Sequence, residues 1–245
     1  MSIKGDVFGD KGYSTDLKLH EGELGLLESC IKAQFEETMW DKYVNLRNCD
    51  IGDYHLHQVE HASLWIKKSR ILSPLNVEMI KQLNFMKVLE NEFGPFKISN
   101  EERIYPEEIY WRIVRPYEMA DVGTLHADRW FWDLGHGKKP GKQCVKIWIP
   151  IRCQPGHNGL KVVPGSHKKK DWKYHGEHPS ADYRAHYMKP VIDESEEDLK
   201  PIPLMTEPGR CVIFNEDLLH GGMFNAGTQT RISLEFLIYN DGGVE

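Results

Sequence analysis

The chain has few cysteines, and their spacing fits neither a metal site nor a disulfide pattern. Its 245 residues include five cysteines, and no two of them have the Cys-x-x-Cys spacing. An odd set without that spacing argues against a disulfide framework and against a thiolate zinc site. We therefore expect a reducing compartment for a chain that contains Cys30, Cys49, Cys144, Cys153 and Cys211.

Long hydrophobic runs are absent as well. The N-terminus contains no apolar segment of signal-peptide length, and the other apolar runs are short, such as IWIPI at 147–151. The sequence therefore predicts a cytoplasmic protein that does not enter a membrane.

Positive charge is in deficit. Lysine and arginine number 31 against 37 aspartates and glutamates, which leaves a net charge of -6. A general nucleic-acid binder needs a basic surface to displace the counterions around the phosphates. The charge therefore favours a small-molecule substrate over a nucleic-acid partner, while nothing in the sequence indicates an oligomeric state.

The length and composition fit one globular domain over residues 1–245. Residues 1–96 are predicted to be mostly helical, because apolar side chains recur at helical spacing over 21–40 and 76–93. Residues 97–245 instead contain short β-branched and aromatic runs bounded by Gly, Pro, Asn and Asp. These runs predict strands near 108–116, 144–151, 159–163, 210–214 and 230–239.

No long helical pattern separates the predicted strands, which argues against a parallel sheet built from βαβ units. We therefore predict a mainly β fold, a double-stranded β-helix of jelly-roll or cupin-like type, with the N-terminal helices packed on it. The polar segment 167–208 is predicted to be a long insertion between strands, and such insertions often form binding loops or lids.

The strongest chemical signal lies in two clusters of the β-rich part. The run GTLHADRW at 123–130 places His126 and Asp128 two residues apart, so both side chains point to one face of an extended segment. His220 follows one predicted strand, and Arg231 lies on the next. Two imidazoles and a carboxylate leave open positions on iron(II), which suits oxygen activation, whereas structural zinc prefers four protein ligands. The sequence thus favours a metal site at His126, Asp128 and His220.

Together with the runs NGLKVVPGSHK (158–168), HGG (220–222) and TRIS (230–233), these clusters resemble the phytanoyl-CoA dioxygenase (PhyH) family over residues 108–239. Enzymes of this family use iron(II), 2-oxoglutarate and O2. The resemblance implies that His126, Asp128 and His220 are the catalytic iron ligands and that Arg231 pairs with the C5 carboxylate of 2-oxoglutarate. A planar guanidinium suits bidentate capture of a carboxylate, and an arginine in a β core needs an anionic partner.

The resemblance further implies a dioxygenase that hydroxylates its substrate and releases succinate and CO2. The polar insertion and the low overall hydrophobicity favour a small, polar metabolite or biosynthetic intermediate as that substrate. Desaturation or ring formation stays open as the outcome, because enzymes of this fold accept very different substrates. The alternative is a non-catalytic or non-redox cupin-like protein that binds a metal or ligand without 2-oxoglutarate.

Four other side chains are candidates for co-substrate contacts. Ser233 shares the strand face of Arg231 and can donate a second hydrogen bond to the same carboxylate. Lys146 and Trp148 share one face of a predicted strand. The pattern is equally compatible with that face lining a pocket and with that face pointing to solvent. Arg112 can touch co-substrate or substrate, although a solvent-facing arginine is favoured there.

Alternation alone predicts a different place for Arg231. Ile232, Leu234 and Phe236 alternate with the polar residues of the strand, which puts Arg231 on the solvent face. The family resemblance, and not this alternation, favours a buried Arg231.

Two further histidine-containing runs each allow a functional interpretation and an ordinary structural one. In HLHQVEH (55–61), His57 and His61 share a helical face that can bind zinc, but an exposed helix start is favoured because no third ligand follows. The basic run HKKKDWK (167–173) can meet an anionic group, but a solvated loop is favoured. We interpret His167 within this run as structural.

Overall fold

The computed structural model describes residues 2–43, 46, 48–178 and 188–240. Its helices are α1 (Ile3–Phe8), α2 (Glu21–Lys42), α3 (His61–Leu64), α4 (Pro74–Lys81), α5 (Asn84–Phe93), α6 (Arg129–Asp133) and α7 (Glu196–Leu199). Its strands are β1 (Tyr13–Ser14), β2 (Lys97–Ile98), β3 (Tyr110–Val114), β4 (Gln143–Arg152), β5 (Leu160–Val162), β6 (Tyr174–Glu177), β7 (Lys189–Ile192), β8 (Ile202–Pro203), β9 (Val212–Asn215), β10 (His220–Gly222) and β11 (Arg231–Asn240). Short 3-10 turns cover Ile51–Leu56, Lys67–Arg70, Met119–Asp121 and Ser166–Lys168.

Two antiparallel sheets form the centre of the fold. In the larger sheet, β1, β9, β4 and β11 are neighbours in that order, and both β2 and β3 also pair with β11. The smaller sheet has the order β10, β5, β8. Every pairing in the two sheets is antiparallel. The prediction of a β core with N-terminal helices packed on it is therefore confirmed.

Alternation along β4 assigns its two faces to two different cores. Val145, Ile147 and Ile149 are buried together with apolar residues of the N-terminal helices. Trp148, on the opposite face, packs with Leu160 and Val162 of the smaller sheet. Because successive side chains of a strand point to opposite faces, polar residues on this inner face are enclosed between the sheets.

The helix predicted over 76–93 is wrong in one respect, since the structure breaks it into α4 and α5. Glu23 of α2 accepts a hydrogen bond from the backbone N–H of Phe85 at 2.8 Å. One of the free N–H groups at the start of α5 is therefore satisfied by another helix. This contact joins segments far apart in the chain, so helical periodicity does not contain it.

The segment 167–208, predicted as a polar insertion, has secondary structure of its own. β6 and β7 pair as a hairpin with Glu177 opposite Lys189. The hairpin packs on α6, where the rings of Trp130 and Tyr174 stack at a centroid distance of 4.3 Å. Residues 179–187 of the predicted insertion lie outside the described residues. The hairpin is thereby attached to the helix that directly follows Asp128.

Helices and sheet share a hydrophobic core that contains Leu27, Ile31 and Phe35 of α2 together with Leu234 and Phe236 of β11. This shared core supports the interpretation of one domain over 1–245, which stays a prediction. Among the described residues, no helix combines the length and the apolar character that a bilayer crossing requires.

Leu27→Ala tests the contribution of this core to stability. Leu27 is fully buried, so we expect its truncation to lower the free energy of unfolding by about 2–5 kcal/mol. Leu75→Ala is the matched control, because Leu75 is 71% exposed. Equal urea midpoints for the two variants would contradict the assigned core.

Candidate metal centre and cavity

His126 and His220 are held side by side by their own backbone. The two residues form an antiparallel β-bridge, with both N–H to carbonyl distances at 2.9 Å. Their imidazole rings lie 4.5 Å apart between centroids. Because His220 also belongs to β10, which pairs with β5, the bridge attaches the segment around His126 to the smaller sheet.

Gly221 permits this close approach of two chain segments. A Cβ atom at Gly221 would lie 3.2 Å from the carbonyl oxygens of Gly123 and Thr124 and from the amide nitrogen of Leu125. Such contacts with backbone are tighter than an added side chain normally tolerates, and glycine removes them. The small residue after His220 is thus explained by the bridge.

Asp128 completes a group of three candidate ligands. It directly precedes α6, and its Oδ1 atom lies 3.6 Å from Nε2 of His126 and 3.6 Å from Nε2 of His220. Ligand atoms of the three side chains all lie within 4.8 Å of one another. Within the described part of the chain, no other group of three or more histidine, cysteine or acidic residues meets this criterion.

Backbone carbonyls orient both imidazoles toward the centre of this group. Nδ1 of His126 lies 2.7 Å from the Thr124 carbonyl oxygen, and Nδ1 of His220 lies 3.0 Å from that of Leu218. A proton on each Nδ1 donates to these carbonyls, which leaves the lone pair of each Nε2 free. This is the arrangement in which a neutral histidine binds a metal ion.

The charge of Asp128 is retained although the side chain is buried. Burial alone would raise the pKa of Asp128, but the Lys146 ammonium and the two imidazoles hold it well below its usual range. Lys146 lies 3.9 Å from Asp128 and 3.7 Å from Glu101. Oδ2 of Asp128 accepts no hydrogen bond from the described residues. An ionised carboxylate with an unused oxygen therefore faces the two imidazoles.

A cavity of about 650 Å³ opens beside the three candidate ligands. This volume is in the range of small-molecule sites. Its lining combines polar residues of the larger sheet with aromatic residues of α6 and with Lys189 of the hairpin, and includes Tyr110, Arg112, Phe131, Trp132, Lys146, Trp148, Lys189, Arg231 and Glu235.

Arg231 is the most enclosed cation in this cavity that has no acidic partner among the described residues. It is 3% exposed, and its Nη1 donates to the Gly159 carbonyl at 2.6 Å. Its Nε and the neighbouring Ser233 hydroxyl are buried without a hydrogen-bond partner in the described structure. Burial lowers the pKa of Arg231 to about 10. A buried cation without an anion costs on the order of several kcal/mol, so the cavity is suited to an anionic ligand.

The alternation argument for a solvent-facing Arg231 is wrong. Ile232, Leu234 and Phe236 do form one face of β11, but that face lies under the N-terminal helices. The opposite face, with Arg231 and Ser233, lines the interior between the sheets. Alternation correctly separates the two faces, but a sheet covered on both sides has no solvent face for the polar row.

The other predicted contacts also lie at the cavity. Trp148 places its ring centroid 5.7 Å from Cζ of Arg231, and Lys146 lies beside Asp128. Arg112, for which a solvent-facing position was favoured, lines the cavity and pairs with Glu235 at 2.7 Å. Burial opposes ionisation of Glu235, but Arg112 and Lys146 lower its pKa to about 2.

Sequence reasoning missed the residues that connect the two clusters. Asn225 is fully buried, and its side-chain amide donates to the carbonyls of Val114 and Gln229 at 2.9 Å each. Its Oδ1 accepts a hydrogen bond from the side chain of Asn158 at 2.9 Å. These bonds fix the loop between β10 and β11. The only signal in the sequence is an asparagine in a turn-forming stretch.

The helix start predicted in HLHQVEH is present, since α3 begins at His61, but the predicted exposure is wrong for His61. Its side chain is 17% exposed, with Nε2 lying 3.4 Å from Asp121 and Nδ1 lying 3.2 Å from the Tyr54 hydroxyl. Asp121 in turn pairs with Arg115 at 2.9 Å. The motif therefore belongs to a structural network rather than to a zinc site.

The basic run 167–173 does not line the cavity. Lys168, Lys169 and Lys170 pair with Asp10, Glu194 and Asp217 respectively. His167 is buried, with Nε2 lying 2.9 Å from the Gly9 carbonyl oxygen, in line with the structural role predicted for it.

Comparison with protein families gives one match over most of the chain. A family model described as phytanoyl-CoA dioxygenase (PhyH) matches residues 34–233. A search of curated proteins finds no match to the sequence.

The fold of the chain is similar to that of several solved structures. AviO1 from Streptomyces viridochromogenes Tue57 is 14% identical, with coverage of 99% of this chain and 96% of that chain and a TM-score of 0.58. EctD from S. alaskensis, solved with 2-oxoglutarate and 5-hydroxyectoine, is 16% identical over 98% and 76% of the two chains, with a TM-score of 0.59. SnoK, described as a non-heme alpha ketoglutarate dependent carbocyclase from nogalamycin biosynthesis, is 12% identical over 98% and 86%, with a TM-score of 0.54. At these identities the likeness shows the shared fold.

His61 is expected to make folding stability depend on pH. Burial lowers its pKa to about 4 from the ordinary value of 6.5. Between these values the unfolded chain binds a proton that the folded protein excludes, so stability falls as the pH falls through this window, by up to about 1.4 kcal/mol per pH unit.

His61→Gln should flatten this pH dependence in urea unfolding of the metal-free protein between pH 7 and 4. His157→Gln, which removes an exposed histidine, is the control. An unchanged slope in His61→Gln would show that other groups cause the dependence.

Proposed function

The chain belongs to the phytanoyl-CoA dioxygenase family, and from that premise we propose that it is an iron(II)- and 2-oxoglutarate-dependent dioxygenase. One observation carries the proposal. A single cavity contains three convergent ligand atoms at one point and, on β11, the buried Arg231, whose Nε has no hydrogen-bond partner among the described residues. The hydroxyl of Ser233, two residues further along the same strand, is likewise buried without a partner in the described structure. A dicarboxylate that binds a metal at one end and a guanidinium at the other fits this arrangement.

The donor set suits iron(II). His126, Asp128 and His220 would hold the metal through two imidazole nitrogens and one carboxylate oxygen, a set that leaves coordination positions open. Bound iron(II) supplies the activation of O2, with 2-oxoglutarate as the reductant that is converted to succinate and CO2. Asp128 is already ionised and both Nε2 atoms already face inward, so the protein does not need to rearrange to receive a cation.

Arg231 and Ser233 would bind the C5 carboxylate of 2-oxoglutarate. The guanidinium provides the charge and a planar pair of donors, while the Ser233 hydroxyl adds a neutral one. Trp148 of β4 lies beside the arginine, with its ring centroid 5.7 Å from Cζ. Lys146 would act on Asp128, because its ammonium keeps that carboxylate ionised.

The reaction that we propose is hydroxylation of a small, polar molecule. The cavity is large enough for such a substrate beside the co-substrate, and its wall is rich in charged side chains. Desaturation or ring closure uses the same site, and the substrate's position decides between these outcomes. The competing hypothesis is a cupin-like protein without redox turnover. It does not explain why the Nε of Arg231 and the hydroxyl of Ser233 are both buried without a hydrogen-bond partner in the described structure.

Binding of 2-oxoglutarate tests the co-substrate site. Under anaerobic conditions, iron(II) and 2-oxoglutarate should produce a weak visible charge-transfer band with the wild-type protein. Arg231→Ala should need at least about tenfold more 2-oxoglutarate for half of the band, since a charge-assisted hydrogen-bond pair is lost.

Arg210→Ala is the control for that titration, because Arg210 lies outside the cavity lining and pairs with surface Glu207. The assignment fails if the wild type binds iron(II) and shows no band, or if the band forms equally well in Arg231→Ala.

Asp128→Gly tests the metal site by binding as well as turnover. The variant loses an anionic ligand and one of the two carboxylates beside the Lys146 ammonium, so we expect iron(II) affinity to fall by more than about tenfold and substrate hydroxylation to stop. Asp171→Gly removes an exposed aspartate from a loop and is the control. Full hydroxylation by Asp128→Gly would refute Asp128 as a ligand.

A further inference from the structure

The cavity has an excess of positive charge although the whole chain is acidic. The described lining contains seven cationic and four anionic side chains, whereas the chain carries a net charge of -6. Iron(II) and 2-oxoglutarate carry opposite charges of equal size, so they leave this excess unchanged. Clefts lined by one sign of charge attract ligands of the opposite sign.

The acidic side chains of the lining all have cationic partners. Glu101 and Glu102 each lie 3.0 Å from Lys67. Asp128 lies beside Lys146, and Glu235 pairs with Arg112. Of the remaining cations, Lys68 is exposed and Arg70 donates to the backbone carbonyls of Trp65 and Trp111. With Arg231 assigned to the co-substrate, this leaves the half-buried Lys189.

Lys189 has no ion pair with any described residue, although it is half-buried. Its cross-strand neighbour Glu177 is opposite in register, but that carboxylate lies 3.2 Å from Nε2 of His175. Burial and the nearby Arg112 guanidinium both lower the pKa of Lys189, and Glu177 opposes them only in part. Two cations therefore lie close together at the cavity wall.

The hairpin that presents Lys189 is firmly attached near the candidate metal ligands. The carbonyl oxygen of Met188 lies 2.6 Å from Nε2 of His136. The Tyr174 hydroxyl donates to Asp133 of α6 at 3.0 Å. Because α6 begins directly after Asp128, these contacts set the position of Lys189 relative to the metal site.

Arg112 lies in a more solvent-accessible part of the cavity than Arg231 does. The side chain of Arg112 is 40% exposed, whereas Arg231 is 3% exposed. Nη1 of Arg112 would lie 4.0 Å from a Cβ atom at Gly123, in the segment that leads to His126. An anionic group held here would place the rest of a small molecule against the metal centre.

We propose that the substrate carries a carboxylate or phosphate group and that Lys189, together with Arg112, binds this group on the hairpin side of the cavity. The inference rests on the proposed function, because it assigns Arg231 to 2-oxoglutarate. Lys189 is thus a substrate-binding residue, and the β6–β7 hairpin is the element that selects an acidic substrate.

Four probes with one phenyl ring test the proposal. Benzoate and phenyl phosphate carry the two candidate anions, benzyl alcohol is neutral, and benzylamine is cationic. The ring suits a lining that contains Tyr110, Phe131 and Trp132. Each probe is titrated by calorimetry into anaerobic protein loaded with iron(II) and 2-oxoglutarate. The co-substrate then already occupies Arg231, and the probe cannot bind there.

We expect at least one anionic probe to bind the wild type more tightly than benzyl alcohol. Lys189→Gln should raise the Kd of that probe by about tenfold, in line with the loss of a charge-assisted hydrogen bond, and leave benzyl alcohol unchanged. Lys189→Glu should reverse the preference toward benzylamine. The anion with the larger loss identifies carboxylate or phosphate as the group recognised.

Lys173→Gln is the matched control, since Lys173 is exposed and precedes the same hairpin. Equal binding of anionic and neutral probes by the wild type overturns the proposal, and so does an unchanged Kd in Lys189→Gln.

The charge-transfer band recorded in the same samples separates this inference from the proposed function. An equal band in wild type and Lys189→Gln shows that the co-substrate site is intact. Absence of the band in the wild type contradicts the oxygenase assignment, and with it the role of Lys189 in substrate binding, even if Lys189 still binds the anion.

Discussion

The antiparallel bridge between His126 and His220 is the contact on which the arrangement of the site depends. It joins the segment after β3 to a strand of the smaller sheet through a pair of backbone hydrogen bonds. Backbone bonds set the separation of the two imidazoles more rigidly than side-chain packing alone. Asp128 then follows at the start of α6, and the hairpin that carries Lys189 packs on that helix. The positions of the proposed ligands and of the cavity wall therefore both depend on this bridge.

A second constraint is that the larger sheet is covered on both faces. Its apolar row packs under the N-terminal helices, so the polar row of β4 and β11 can be turned inward without a loss of core. Charges in that enclosed space must compensate one another or a ligand. Lys146 and Arg112 are compensated by Asp128 and Glu235, whereas Arg231 and Lys189 have no acidic partner among the described residues. The two cations without an acidic partner are the ones to which we assign the main charge contact with a ligand.

Much of the fold and the candidate site could be predicted from local patterns. The strands of the β core, the long helix α2 and the spacing of His126 and Asp128 follow from periodicity and residue type. The break between α4 and α5 could not be predicted, because Glu23 stabilises it from another helix. The acidic partners of Lys168, Lys169 and Lys170 could not be predicted either, since they come from distant parts of the chain.

The sequence by itself determined the β core, the family and the set of side chains with the chemistry for iron and a dicarboxylate. Only the tertiary structure decided which face of β11 is enclosed, that Arg231 has no acidic partner among the described residues, and that Lys189 lies near Arg112 at the cavity. The physical reason is that residue type and periodicity describe a single segment. Burial and charge compensation depend on what the other segments place against it.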